Sequence, residues 1–384
     1  MKKYFSEEHV MLQQMVKEFA DKEIKPAAQE IDSQSKFPKD IINKMSDLGL
    51  LGIPWDEKYG GNGMDTLSLV IAIEEIGKVC TSTAVTMMAH TSLGTGPIAY
   101  FGTENQKEKY LSKLAKGKIL GAFGLTEPGA GSDAGNTQTT AELDGDYYII
   151  NGQKAFCTNA GESGVITITA KIMSKDSSKQ KIGAFIIESD SEGVTFGVPE
   201  KKMGWKGSDT RSVFFENVKI PKENILGDPN KGFSQFLETL SGGRITIGGL
   251  ALGIAQGAFN AAVKYSKERT AFGKEINSFQ GVSFKISDMA TKIEAAKHLV
   301  YHAAWLKDNN LPFMKEAAMA KLFSSEMAMY VTTEAIQIHG GYGYIKEYNV
   351  ERHFRDAKLL EIGEGTSEIQ RIVISREVLN NFQV

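Results

Sequence analysis

The chain has 384 residues, 41% hydrophobic and 24% charged, a balance that excludes a disordered segment and leaves room for two or three structural units. A formal net charge of −3 gives no broad positive field, which argues against nucleic acid or an anionic membrane as the main partner. The opening MKKYFSEEHV lacks the apolar core of a signal peptide and no run reads as a membrane span, so a cytoplasmic location is the expectation. Helical spacing then dominates residues 1–120. Ser6 can cap a segment in which Leu12, Met15, Val16 and Phe19 share a face, and Pro26 limits its length; similar patterns cover Ile41 to Leu48, Leu67 to Ile76 and Gln106 to Leu114. The connector PWDEKYGGNGMD between them is rich in turn formers.

From about Gly121 the pattern changes to period two. DGDYYIING, VITITAKI, KIGAFIIE and TRSVFFENVKIP read as strands separated by Gly, Asp, Asn and Ser, so residues 121–232 are expected to form a β unit. Residues 233–384 return to helices: Ser241 through Tyr265, Ser278 to Leu306, and a third carrying Met319, Leu322, Phe323, Met327 and Tyr330. The many Ala and Gly in these helices require close helical neighbours, and the apolar surface predicts an oligomer.

Two motifs carry the chemistry. LTEPGAGSD places Pro128, Gly129 and Gly131 around the hydroxyls of Thr126 and Ser132, an arrangement that brings main-chain N–H groups close to a polar ligand. IGEGTSEIQR sets Glu364 between two glycines just ahead of an amphipathic helix, where a carboxylate can reach a substrate as a base. Seven of the 44 basic residues are arginines, and the guanidinium fork suits phosphate or carboxylate, although structural ion pairs are expected for most of them. Other classes fail: there is no phosphate loop, no strand–GxGxxG–helix fingerprint and no GxSxG elbow. Six histidines show no HExxH, and Cys80 and Cys157 have no partner at metal-ligand spacing, so no metal is expected.

Together with the Phe156 to Asn159 segment, ERTAFGKEINSFQ and QIHGGYGY, these motifs resemble the acyl-CoA dehydrogenase family in order and spacing, over essentially the full length. The stretch from TLSGGR through KDNNLPFMKEAAMAK to TSEIQR is most similar to short-chain, butyryl-type members. The resemblance implies an α+β multidomain fold: an N-terminal helical domain, a middle β-barrel-like domain and a C-terminal four-helix bundle. It also implies a homotetramer, a dimer of dimers, that binds FAD between the β domain and the C-terminal helices and passes electrons to an electron-transferring flavoprotein.

By position, Phe123 to Ser132 would border the flavin, with Leu125 and Thr126 at its pyrimidine end, Gly131 nearby, and Ser132 between its phosphates and the substrate. Phe156, Cys157 and Thr158 would cover the ring, Thr158 near N5. Arg269, Phe272, Gln280, Gln337, Gly340 and Gly341 would reach FAD from a neighbouring subunit, and Thr366 and Glu368 would add contacts. Leu240, Ser241, Arg244 and Gly365 would line the acyl-CoA side. Departures from the family pattern are Phe156 and Gly363, where many relatives carry Trp and Tyr, Ser241, where many carry Asp, and Ala271, where some carry a hydroxyl.

The resemblance assigns the α-proton to Glu364 and the β-hydride to flavin N5. Thioester α-hydrogens are weakly acidic, so the carbonyl needs donors, each worth about 3–4 kcal/mol in comparable sites; the family uses the backbone N–H of the base and a ribityl hydroxyl. Some members carry the base immediately before the arginine matching Arg244, and Gly243 there agrees with Glu364 as base. A same-fold flavin oxidase or monooxygenase, and a non-catalytic helical assembly protein, are the competing readings.

Overall fold

The computed structural model describes residues 4–173 and 181–381. Ser6 caps the first helix, Glu7–Phe19, through a reciprocal pair in which its hydroxyl accepts from the His9 N–H while the Ser6 N–H donates to His9 Nδ1. Further helices at Lys39–Asp47, Thr66–Gly77 and Thr81–Met88 complete most of the N-terminal part.

The middle part is an eight-stranded sheet: β1 (Leu120–Gly124), β2 (Thr140–Asp144), β3 (Tyr147–Thr158), β4 (Ser163–Ile172), β5 (Lys181–Glu188), β6 (Val194–Phe196), β7 (Thr210–Pro221) and β8 (Ile225–Leu226). The order is β6-β7-β3-β2-β4-β5-β8, with β1 also paired to β4 in parallel. One end of β4 holds β1 and the other holds β2, which folds the sheet around a core of its own that includes Ile150, Ile166, Phe185 and Val213. The sequence pattern passes over β1, β2, β6 and β8. LGAFG contains two glycines, which weaken a strand signal, and its pairing comes from distant β4.

Four helices, Gly232–Glu268, Gln280–Asp308, Met314–His339 and Ser367–Asn381, make up most of the C-terminal part. The first is long and apolar enough to cross a membrane, which the reading of the sequence did not anticipate; 72% of its most apolar window is buried inside the protein, as fits a core helix. Its small residues allow close approach: a Cβ at Gly253 would lie 2.5 Å from the Glu74 carbonyl oxygen of Thr66–Gly77. N-terminal and C-terminal helices therefore share one apolar core rather than two. The sheet is pinned to both. Asp356 Oδ1 accepts the Trp205 backbone N–H at 2.7 Å, while Arg355 pairs with Asp32 at 2.7 Å and donates to the Met203 carbonyl at 3.0 Å.

Candidate active site

Glu364 lies in the turn between the short helix Lys358–Glu361 and the last helix, Ser367–Asn381. Its φ is 53° and that of Gly365 is 90°, two successive left-handed residues. The Glu364 side chain meets the helix Gly232–Glu268 at Gly243, where an added Cβ would lie 2.3 Å from Glu364 Oε2 and 3.2 Å from Leu93 Cδ2. The carboxylate thus fills space that any larger residue at 243 would take. Glu364 Oε2 is buried without a hydrogen-bond partner, as are Arg244 Nε, Ser367 Oγ and Gln370 Oε1 around the same turn. Buried polar atoms are nearly always paired, so four open ones in one neighbourhood fit a place built for a polar ligand.

Burial pushes the Glu364 carboxyl up to about 8, against the opposing pull of Lys321 and Arg244. Lys321 is fully buried, and its ammonium donates to the Gly365 carbonyl at 2.7 Å. Among the described residues nothing accepts the Glu364 backbone N–H. On the facing helix Ser241 donates its hydroxyl to the Leu237 carbonyl at 3.0 Å and accepts from Arg244 Nη1 at 3.5 Å, and Leu240 is half-buried beside it.

The second cluster sits on the sheet. A register shift between Lys154 and Cys157 in the β3–β7 pairing marks a bulge. Bulges re-aim side chains. Phe156, at φ 54°, is 67% exposed, while Cys157 faces the interior, where burial pushes its thiol up to about 12; Cys157 can meet a ligand only through its backbone. The Ala155 N–H donates to the Thr126 carbonyl at 2.8 Å, which ties the LTEPGAGSD loop to the bulge. Leu125 is buried, Phe123 and Thr126 are half-buried, Thr158 ends the strand half-buried, and Gly131 and Ser132 are exposed at the rim. Phe123 stacks on Phe236 with ring centroids 4.3 Å apart.

Below the loop lies a network that the sequence reading missed. Glu127 Oε1 accepts from Lys154 Nζ at 2.7 Å, from the Thr139 hydroxyl at 2.6 Å and from Thr137, and Lys154 is fully buried. Burial alone would raise the Glu127 carboxyl; Lys154, Thr137, Thr139 and the Gln138 N–H outweigh it and bring it down to about 2. Lys321 was missed as well. Its signal in the sequence is a lysine on a small-residue face with Ala317, Ser324 and Ser325, where a charge has no place unless it is paired.

The third cluster is elsewhere. Arg269, Gln337, Gly340, Gly341 and Tyr342 line an open hollow of about 540 Å3 at one end of the helical bundle, with Phe272 beside it 96% exposed at φ 52° and Gln280 exposed. A Cβ at Gly340 or Gly341 would meet nothing within 4 Å. Neither Glu364 nor the Phe156 bulge contributes to its lining. Thr366 accepts the Ile369 N–H at 3.3 Å and Glu368 is exposed at the start of the last helix.

The arginines sort by role. Arg211, Arg355, Arg371 and Arg376 pair with carboxylates, and Arg352 holds the Val79 carbonyl at 3.0 Å. Among the described residues Arg244 and Arg269 have no carboxylate partner within ion-pair distance; Arg269 lies over the Tyr342 ring at 5.6 Å. The exposed aromatic on the bulge and the glycine-edged loop suit a flat ring, and the separate hollow with Arg269 suits an anion.

Comparison with known proteins agrees. Family models match in chain order: acyl-CoA dehydrogenase N-terminal domain over residues 6–118, middle domain over 122–218 and C-terminal domain over 230–379. The chain is 54% identical to "Probable acyl-CoA dehydrogenase YngJ" of Bacillus subtilis, over 97% of this chain and 98% of that protein. It resembles the structure of butyryl-CoA dehydrogenase from Megasphaera elsdenii with TM-score 0.95 and 44% identity, covering 98% of this chain and 99% of that one. A structure described under the electron transferring flavoprotein of Acidaminococcus fermentans matches with TM-score 0.96 and 49% identity, over 98% and 99%. The buried carboxylate, the bulge beside its loop and the three matched domains make this chain a member of the acyl-CoA dehydrogenase family, FAD-dependent oxidoreductases.

Proposed function

We propose that this protein dehydrogenates a short, straight-chain acyl-CoA of about four carbons to the trans-2-enoyl ester, with Glu364 as the α-proton base. The observation that carries the reading is the Glu364 carboxylate, held over Gly243 with Oε2 buried and unpartnered. A base starved of hydrogen bonds and pushed up to about 8 has basicity to spare for a weakly acidic α-hydrogen. The free N–H of the same residue is suited to receive the charge that builds on the thioester oxygen. Arg244 and Ser241 form the opposite wall. FAD, when bound, accepts the hydride from the β-carbon.

The likeness to a butyryl-CoA dehydrogenase supports the choice of a short acyl chain. The likeness to the Acidaminococcus fermentans structure supports an electron-transferring flavoprotein as acceptor. Arg269 and the glycines of the open hollow, remote from Glu364, support FAD shared between subunits of a homotetramer.

Glu364→Gln tests the assignment, because it keeps volume and hydrogen bonding but removes basicity. FAD and acyl-CoA should still bind while butyryl-CoA no longer bleaches the flavin under anaerobic conditions. Substantial residual reduction moves the base elsewhere.

A further inference from the structure

A buried lysine costs free energy unless something nearby needs its charge. Lys321, on the helix Met314–His339, is fully buried, and the hydrogen bond its ammonium makes is to the Gly365 carbonyl at 2.7 Å. Gln370 Nε2 donates to the same carbonyl at 2.9 Å from the last helix. Glu364 and Gly365 are both left-handed, a conformation that a non-glycine residue adopts at a cost and that the surroundings must hold. Lys321 fastens this turn to the bundle at the carbonyl of the residue that follows the base.

The charges around it are few and identifiable. Glu364 in the connecting turn, Glu361 at the end of the short helix, Glu368 on the last helix and Arg244 on Gly232–Glu268 act on Lys321; Lys321 and Arg244 are the cations that act on Glu364. Burial brings Lys321 down to about 8, against the opposing pull of Glu364. No carboxylate forms a direct ion pair with it among the described residues.

We propose that Lys321 is a positioning residue, whose buried ammonium locks the Glu364 turn through the Gly365 carbonyl and favours the ionised, proton-accepting form of the carboxylate. This rests on Glu364 being the base. A lysine that only satisfied a stray carbonyl would matter equally at every pH. One that also acts through charge shifts the protonation of Glu364.

The test follows Glu364 directly. Infrared difference spectra of the holoenzyme against Glu364→Gln isolate the band of its protonated carboxyl, and the pH at which that band is half lost reports its titration without turnover. In Lys321→Met the midpoint should rise by about one pH unit, roughly a tenfold change in the protonation equilibrium. The acid limb of the butyryl-CoA reduction rate should move with it, while KM stays near the wild-type value. Lys321→Gln keeps a donor but no charge and should show the same shift; it carries the test if Lys321→Met does not fold. Lys321→Arg should hold the midpoint in place. A midpoint unmoved in the uncharged variants, with rates lowered equally at all pH, overturns the proposal. Residual activity in Glu364→Gln overturns the assignment of the base instead, so the two failures are distinguishable.

Discussion

Gly243 and Glu364 compete for the same space, and the distance of 2.3 Å between a would-be Cβ and Oε2 shows that the chain is committed to one carboxylate in one place. Beside the base stands Gly363, where a Cβ would meet nothing closer than the Leu359 carbonyl at 3.4 Å. An aromatic ring can therefore start there without a clash. The kcat/KM of the wild type across C4, C6, C8 and branched C4–C5 esters should peak at C4, since each methylene in a fitted apolar pocket is worth roughly 1–3 kcal/mol. Gly363→Tyr should sharpen that preference against C6 and branched esters. An optimum at C8 or above sinks the short-chain assignment. Glu364 was legible at this scale because its flanking glycines and following helix mark an accessible turn; Lys321 was not, because burial of a lysine depends on what lies across from it.

The element that matters most is the LTEPGAGSD loop with the β3 bulge behind it. Its geometry is set from within by Glu127 and Lys154, both buried, rather than by its exposed glycines. Removing one partner leaves an uncompensated buried charge, so Glu127→Leu should lower stability by about 3–5 kcal/mol in denaturant titrations. The pH dependence has a definite sign. The Glu127 carboxyl is held below its ordinary value, so its contribution is complete above about 4.5 and is lost as pH falls toward about 2. The stability gap between wild type and Glu127→Leu should therefore narrow on acidification from about pH 5 downward; a gap constant over that range would remove the charge pair as its cause. β3 itself was readable as a strand, but its bulge was not. The one-residue shift that turns Phe156 outward and Cys157 inward arises from pairing with β7, about sixty residues on.

At the scale of the molecule, the apolar core runs through N-terminal and C-terminal helices together, and Trp205, Asp356, Arg355 and Asp32 hold the sheet against both. What the single chain leaves open is the 540 Å3 hollow with Arg269, far from the base it is proposed to serve in a neighbouring subunit. Arg269→Ala loses a charge-assisted contact worth about 1.5–3 kcal/mol if it binds a cofactor phosphate. FAD content after gel filtration should fall, and sedimentation should show the tetramer weakening with it. A variant that keeps full FAD as a monomer would contradict a shared site.

The sequence by itself determined the periodicities, and with them the helix, sheet, helix order, because 3.6-residue and two-residue patterns are local properties of the chain. It also determined the family, through TEPGAGSD and EGTSEIQR, whose residue types follow from the backbone approach and basicity that the chemistry needs. Only the tertiary structure decided which polar groups are buried and what they meet there. Glu364 Oε2 over Gly243, Lys321 against the Gly365 carbonyl and the Glu127–Lys154 pair each join residues far apart in the chain. Burial, and the pKa shifts that follow from it, belong to the surroundings a residue acquires on folding, which its neighbours in sequence do not specify.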